Sequence, residues 1–293
     1  MPKISVVINT WNEEENIKRC LNSVKWADEV IVVDMYSQDK TLQIAKKMGA
    51  RVFSYKYSFI CEPARNFAIS KVTGDWILIL DADEEVSPFL AKTLQELAED
   101  PQNFTYFRFP RKNIIFGKWI KYSRWWPDYI IRFFKKGHLR WPEKIHSVPL
   151  TRGEGKDLEA KEINAIIHYH YQTISQYLER LIRYTKIQAN DLIESGYKFD
   201  WRDMLKKPMG EFLSRFFAGE GYKDGLHGLV LSLLQAFFEL VKYLRVWEKE
   251  NFGDQDIDGY HEVLEENIND YLHWQVGSAN LIRKIRLKIK KKI

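Results

Sequence analysis

The sequence predicts an α/β fold with a mostly parallel central sheet and a helical C-terminal extension, on three observations. Unbroken apolar, β-branched runs alternate with segments of helical spacing through the first hundred residues. The links between them are short, as in βα units. From Ser175 onward the pattern turns largely helical and stays so.

Each element follows from its own pattern. ISVVI (Ile4 to Ile8) and VIVVD (Val30 to Asp34) read as strands covered on both faces, because they are apolar and β-branched apart from Ser5 and the terminal Asp34. Between them, Ile17, Leu21 and Val24 recur at helical spacing. A second helix is expected from Lys40 to Met48, then the short strand RVFSY, a third helix from about Pro63 to Val72, and the strand WILIL. After Pro101 the rhythm changes: FTYFRF and YIIRFF read as strands, and INAIIHY as a later one. SQYLERLIRYTKIQANDLIESG and Met209 to Ala218 read as helices. In the apolar window from Gly228 to Trp247, Glu239, Lys242 and Arg245 leave fewer uncharged residues than the ~20 of a spanning helix. Leu226, Leu229, Val230, Leu233, Phe237, Leu240, Val241 and Leu244 instead stripe an amphipathic helix. Three regions result: an α/β domain over 1–173, a helical region over 174–280 and a basic tail over 281–293.

Hydrophobic residues make up 45% and charged residues 29%, a globular composition that excludes a disordered chain. Two cysteines, Cys20 and Cys61, form no disulfide framework and no metal spacing, which fits a reducing compartment. MPKISVVINT has a strand pattern in place of a signal peptide's apolar core, so a cytoplasmic location is expected. The net charge of +5 is concentrated at the end, where RKIRLKIKKKI carries seven Lys or Arg and no acid. Anionic lipid attracts such segments at about 1 kcal/mol per cation, so the inner face of the cytoplasmic membrane is an expected peripheral partner, with a solvated, frayed terminus as the alternative. A nucleic-acid partner is not expected, since acids line the strand ends and would repel a phosphate backbone. No phosphate-binding G-x-x-x-x-G-K-[ST] loop occurs.

Ligands of open parallel sheets bind at the carboxyl ends of the strands. Here the first strand runs into NTWNEEEN, the second into DMYSQDKT and the fourth into DADEE. Side by side, these would bring Thr10, Asn12, Glu13, Asp34, Asp39, Asp81 and Asp83 to one edge. Crowded carboxylates repel, so something must offset them. A Mg²⁺ or Mn²⁺ ion shared with substrate phosphates would do so, as would donors from a nucleotide. The plainer alternative makes Ser37 and Asp39 helix caps and leaves Glu84 and Glu85 solvated or in the first turn of a helix.

In order and spacing, VVINTWNEEENIKRCLNSV, VIVVDMYSQDKT, EPARNFAI and GDWILILDADE resemble family 2 glycosyltransferases of the GT-A fold, with DAD in the place of the family's D-x-D signature. Further on, GKWIKYSRWWPDYIIRFFKKGHLRWPEKIHSVPL is similar to the bacterial subgroup that extends lipopolysaccharide core or related lipid-linked glycans. Ser147 stands where that subgroup often has an acid.

The resemblance implies an inverting, metal-dependent transfer of a sugar from a nucleotide-sugar, UDP-linked by preference, to a glycan or lipid-linked acceptor hydroxyl. On that basis Asp83, Asp81 and His146 are the expected metal ligands. Thr10, Asn12, Glu13, Asp34, Arg65, Asn66, Asp81 and Arg132 are expected around the nucleotide-sugar, with a Glu62 ion pair as the alternative for Arg65. Asp128 is the expected base, with a plain turn acid after Pro127 as its alternative, and Glu143 is in reserve. His168 and His170 read as structural. Competing assignments are a catalytically inactive nucleotide-sugar-binding relative and a sugar-phosphate nucleotidyltransferase. The latter is disfavoured because NTWNEEEN lacks a Gly-rich, Arg-containing loop.

Overall fold

The computed structural model describes residues 1–56, 62–142 and 148–278. They form two compact units, one of residues 1–114 with 126–170 and one of residues 115–125 with 171 onward.

The first unit carries the α/β pattern. Its strands are β1 (Ile4–Thr10), β2 (Glu29–Asp34), β3 (Arg51–Ser54), β4 (Trp76–Asp81), β5 (Glu84–Glu85), β6 (Phe104–Phe109) and β7 (Arg111–Ile115). A two-residue strand, β8 (Lys118–Trp119), belongs to the second unit. The first unit resumes with β9 (Ile130–Lys135), β10 (Leu139–Arg140), β11 (Leu150–Thr151), β12 (Glu154–Asp157) and β13 (Ile166–Tyr171). Its helices are α1 (Ile17–Ser23), α2 (Thr41–Lys47), α3 (Glu62–Ser70) and α4 (Pro88–Glu99). Seven strands make the main sheet, in the order β12-β6-β9-β4-β1-β2-β3. β1 runs parallel to both β2 and β4, while β9 is inserted antiparallel between β4 and β6.

Alternation explains why these runs are apolar throughout. Val6, Ile8, Val32, Leu78 and Leu80 enter one core with Leu90 and Leu94 of α4, while Val7, Ile31, Val33, Ile77 and Ile79 enter another with Ala64 and Ala68 of α3. A sheet covered on both faces leaves no polar position until its strand ends, and each Leu or Ile so buried contributes roughly 1.5–3 kcal/mol. Ser87 caps α4 by accepting the Leu90 N–H at 3.1 Å, with Pro88 entering the first turn.

Beside the main sheet, β5, β13 and β7 lie in a second, smaller one. The strand expected from INAIIHY starts only at Ile166, because Glu162–Asn164 form a 3₁₀ turn. Glu84 overturns its expected solvated place. It is fully buried in β5 and pairs with His168 of β13.

The second unit is helical: α5 (Ile174–Glu194), α6 (Asp203–Leu213), α7 (Leu226–Lys249) and α8 (Tyr260–Ser278). The Thr173 hydroxyl caps α5 through the Gln176 N–H. α6 begins at Asp203, ahead of the expected Met209, and gives way to a π-helical segment over Ser214–Ala218. α7 occupies the expected helical window. Its buried line runs through Gly228, Leu231, Ser232, Tyr243 and Val246, leaving Leu226, Leu233 and Phe237 exposed. Close approach decides that face: a Cβ on Gly228 would lie 1.8 Å from the Gly221 carbonyl oxygen. Among the described residues no helix is long and apolar enough to cross a membrane.

Candidate functional site

The site begins where the apolar alternation stops. In the ladder, Asn9 sits opposite Asp81 and Thr10 opposite Asp34. Asn9, Thr10 and Asp34 are all buried, yet both polar atoms of the Asn9 amide, the Thr10 hydroxyl and Asp34 Oδ1 have no hydrogen-bond partner among the described residues. Asp34 Oδ2 accepts the Ser37 N–H at 3.1 Å. Leaving a buried polar group unmade costs about 1–3 kcal/mol, so this many at one edge of the sheet marks a place built for a polar ligand.

The loops above that edge are clasped together. Asn12, at φ 53°, donates its N–H to Ser37 Oγ at 2.8 Å and accepts the Gln38 N–H on Oδ1 at 2.7 Å. The Glu13 N–H reaches Thr41 Oγ1 at 2.8 Å, and Glu13 Oε2 accepts from Asn16 Nδ2 at 2.8 Å. Asp39 accepts the Thr41 N–H at 2.9 Å. Burial would raise its pKa, but the bonds from Thr41 outweigh that and lower it. Asn12 and Glu13 therefore join the first two strand–helix loops.

The acids after β4 are met by arginines. Arg132 of β9, 4% exposed, donates from Nη2 to Asp81 Oδ2 and to Glu84 Oε1, the latter at 2.9 Å. Arg65 of α3 donates to Asp81 Oδ1 at 2.7 Å, and its guanidinium lies 5.3 Å from the Trp141 ring. Glu84 Oε2 also accepts the Asp81 N–H at 2.9 Å. Burial alone would push the Asp81 carboxyl up, but Arg132 and Arg65 hold it well below the usual carboxylate range. Cys20, beneath this turn, has its thiol pushed up by burial and then by Glu84, Asp83 and Asp81, so it is not a reactive thiolate. Asn66 is engaged elsewhere: its amide accepts the Trp141 N–H at 3.0 Å and donates to the Trp141 carbonyl at 2.8 Å.

A second cluster forms around Asp128, which has the left-handed φ of 39°. Its Oδ2 accepts hydrogen bonds from Arg111 Nε at 2.9 Å and Asn113 Nδ2 at 3.0 Å, and Arg111 Nη2 stands within ion-pair distance of it at 2.6 Å. Asn113 Oδ1 lies 2.7 Å from His168 Nδ1, and His168 Nε2 lies 3.5 Å from Asp83 Oδ2. Arg111 also stands 3.9 Å from Glu84. Asp128, Glu84 and Asp83 thus share one connected network. Glu143 and His146 fall outside the described residues.

Mg²⁺ and Mn²⁺ take oxygen ligands, commonly one or two carboxylates completed by substrate phosphates. Asp83 offers a buried carboxylate, whereas both Asp81 oxygens already accept from arginines. Among the described residues no group of three His, Cys, Asp or Glu is placed to hold an ion alone. The donors fit a cation completed by a diphosphate, and not an all-protein cage.

The sequence profile of Glycosyl transferase family 2 matches residues 5–152, which contain every strand end described above. The chain belongs to this family. An uncharacterized glycosyltransferase of Rickettsia typhi is 31% identical over 258 residues, covering 85% of this chain and 88% of the relative. The lipopolysaccharide core biosynthesis glycosyltransferase LpsC of Rhizobium meliloti is 20% identical over 259 residues, covering 85% and 94%. The protein is a glycosyltransferase, and its α/β fold with a helical C-terminal part is the one expected. A crystal structure of glucosyl-3-phosphoglycerate synthase from Mycobacterium tuberculosis with Mn²⁺, UDP and glucosyl-3-phosphoglycerate is 24% identical over 40% of this chain and 45% of that one, with a TM-score of 0.32. An overlap that small says nothing about the site.

Sequence reasoning passed over Asn9, Glu84, Arg111, Asn113 and the link through His168. Asn9 had a signal, a polar residue in a strand otherwise buried. Arg111 and Asn113 had a weaker one, two polar residues at period two just before a β-bulky pair.

Proposed function

We propose that the protein is an inverting glycosyltransferase that moves a sugar from a UDP-sugar to a hydroxyl of a glycan or lipid-linked acceptor in cell-envelope polysaccharide synthesis, with Asp128 as the base. The observation that carries this is the asymmetry of the Asp128 carboxylate. Two hydrogen bonds and the Arg111 ion pair converge on Oδ2, while Oδ1 has no hydrogen-bond donor among the described residues, so one oxygen is anchored and the other is available for a proton.

In the reaction the acceptor hydroxyl gives its proton to Asp128 Oδ1 as its oxygen bonds to the anomeric carbon. The bond from that carbon to the diphosphate oxygen breaks, and UDP departs with the electron pair on the face opposite attack. Asp34, Thr10 and Asn9 take the base and ribose, Asp34 Oδ1 accepting an N–H of the pyrimidine. Asp83 would hold the divalent cation, which when bound stabilises charge on the departing diphosphate. His146 is retained as a further ligand and Glu143 as the reserve base. Arg132 and Arg65 act by fixing Asp81, and Asn12, Glu13 and Asn66 by holding the surrounding loops.

Peripheral attachment to an anionic membrane on the cytoplasmic side goes with a lipid-linked acceptor. Its support is the basic run over 281–293 in the sequence, together with exposed Leu226, Leu233 and Phe237 on α7.

The test is Asp128→Asn, assayed as UDP release from a panel of UDP-sugars with glycan acceptors. Removing a general base lowers turnover by about 10²–10⁴-fold, while UDP affinity stays within about twofold of wild type because Asp128 does not touch the nucleotide. Unchanged turnover with intact donor binding would remove Asp128 from the mechanism.

A further inference from the structure

We propose that Asn113 is a positioning residue for the proton acceptor: its amide, locked in one sense by His168, ties a single oxygen of Asp128 and turns the other toward the acceptor hydroxyl. This rests on the reading of Asp128 as base.

The sense of the amide follows from its neighbours. A carboxylate only accepts, so the Asn113 NH₂ faces Asp128 Oδ2 at 3.0 Å and its carbonyl oxygen faces His168 Nδ1 at 2.7 Å. His168 Nδ1 therefore bears a hydrogen. His170 Nδ1 lies 3.1 Å from His168 Nε2, so the bonds can run one way, from His170 to His168 to Asn113 to Asp128. Bonds that share one sense polarise and strengthen one another. Asn113 is 1% exposed and His168 4%, so water does not compete freely for these groups.

Arginine explains why the amide is needed. A guanidinium fork meeting a carboxylate commonly engages both oxygens. Here Arg111 Nε and Nη2 both fall on Oδ2, the oxygen that Asn113 also holds. Residues 111 and 113 share one face of β7, two positions apart, so a single strand delivers both groups to the same oxygen. With Oδ2 carrying both hydrogen bonds and the ion pair, Oδ1 is left to take the proton. The left-handed backbone of Asp128, at φ 39°, is strained for a residue with a Cβ, and these contacts offset that strain.

The test uses the full-length enzyme with Asn113→Ala, Asn113→Asp and Asp128→Asn. Asn113→Asp keeps an acceptor for His168 but loses the donor to Asp128, so it separates positioning from folding should the alanine variant fold poorly. Both Asn113 variants should lose about tenfold or more in kcat with KM for the UDP-sugar within about twofold. Long-range ¹H–¹⁵N spectra of ¹⁵N-histidine-labelled protein, assigned with His168→Gln, should place the His168 hydrogen on Nδ1. An active Asp128→Asn enzyme removes the base itself. A dead Asp128→Asn enzyme beside an Asn113→Ala enzyme with wild-type kcat overturns the positioning role alone, as does a His168 hydrogen found only on Nε2.

Discussion

Replacing Arg132 by methionine takes the cation out of the acid row and keeps most of the side chain's bulk. Arg132 touches Asp81 and the fully buried Glu84. Without it, Asp81 keeps Arg65, and Glu84 keeps the Asp81 N–H and Arg111 at 3.9 Å. Removing one partner of a buried ion pair costs about 3–5 kcal/mol, and the surviving donors put the expected loss near the lower end, about 3 kcal/mol. At about 2–4 °C per kcal/mol, the melting temperature of Arg132→Met should fall by roughly 6–12 °C at pH 7. The sign against pH follows from Asp81, whose pKa is lowered because Arg132 and then Arg65 outweigh burial. A lowered carboxyl pKa stabilises the fold above the unfolded value of about 3.9, and that stabilisation is lost as pH falls below it. The variant lacks most of this contribution, so the gap between wild type and variant should hold from pH 7 to about 5 and narrow below about 4. Calorimetry across pH 3.5 to 7 reads it directly. Adding Glu84→Gln to Arg132→Met should recover about 1 kcal/mol or more, since the stranded charge is then gone. A fall under about 2 °C at pH 7, or a gap that widens in acid, would refute this account of the arginine.

Asp34→Asn should weaken UDP binding about tenfold or more by calorimetric titration without lowering the melting temperature of the free protein. The oxygen it alters has no partner there to lose; equal UDP affinity would take Asp34 away from the base. UDP should bind much more tightly with Mn²⁺ than after chelation, because Arg65, Arg132 and Arg111 are already engaged with acids and leave the diphosphate charge unanswered. Metal-independent affinity would count against the cation at Asp83. Deleting residues 281–293 should weaken sedimentation with anionic vesicles, and undiminished binding would discard the membrane role.

The strands were legible because burial on both faces leaves an unbroken apolar run, and the polar ends of β1, β2 and β4 were legible as the place where that run stops. Glu84 and Arg132 were not, because their pairing depends on β9 entering antiparallel beside β4, with Leu78 opposite Phe133. No local spacing announces that register. The burial of Asn9 was hidden for a related reason: a polar residue near a strand end looks like the strand's termination until its two polar atoms are counted. α7 was legible as a helix, but not which line of it is buried. With leucines on several sides, its orientation is set by where two glycines can meet, Gly221 and Gly228, and hydrophobic pattern carries no information on that.

The acids that seemed to need a metal divide into two kinds. Asp81, Glu84 and Asp128 alternate with Arg65, Arg132 and Arg111, so those charges are matched within the fold and persist whether or not substrate is present. A ligand is called for instead at the end of β1 and β2, where polar groups rather than paired charges lack partners. The two regions are joined by strand pairing, with Asn9 of β1 opposite Asp81 of β4. β13 places His168 opposite Glu84, and the same histidine reaches Asn113 and through it Asp128. A change at Glu84 is therefore expected to disturb the proposed base through a backbone ladder as well as through charge. Arg132 and Arg111 meet Glu84 of that ladder, so the geometry of the proposed base and the stability of its sheet are expected to depend on the same few ion pairs.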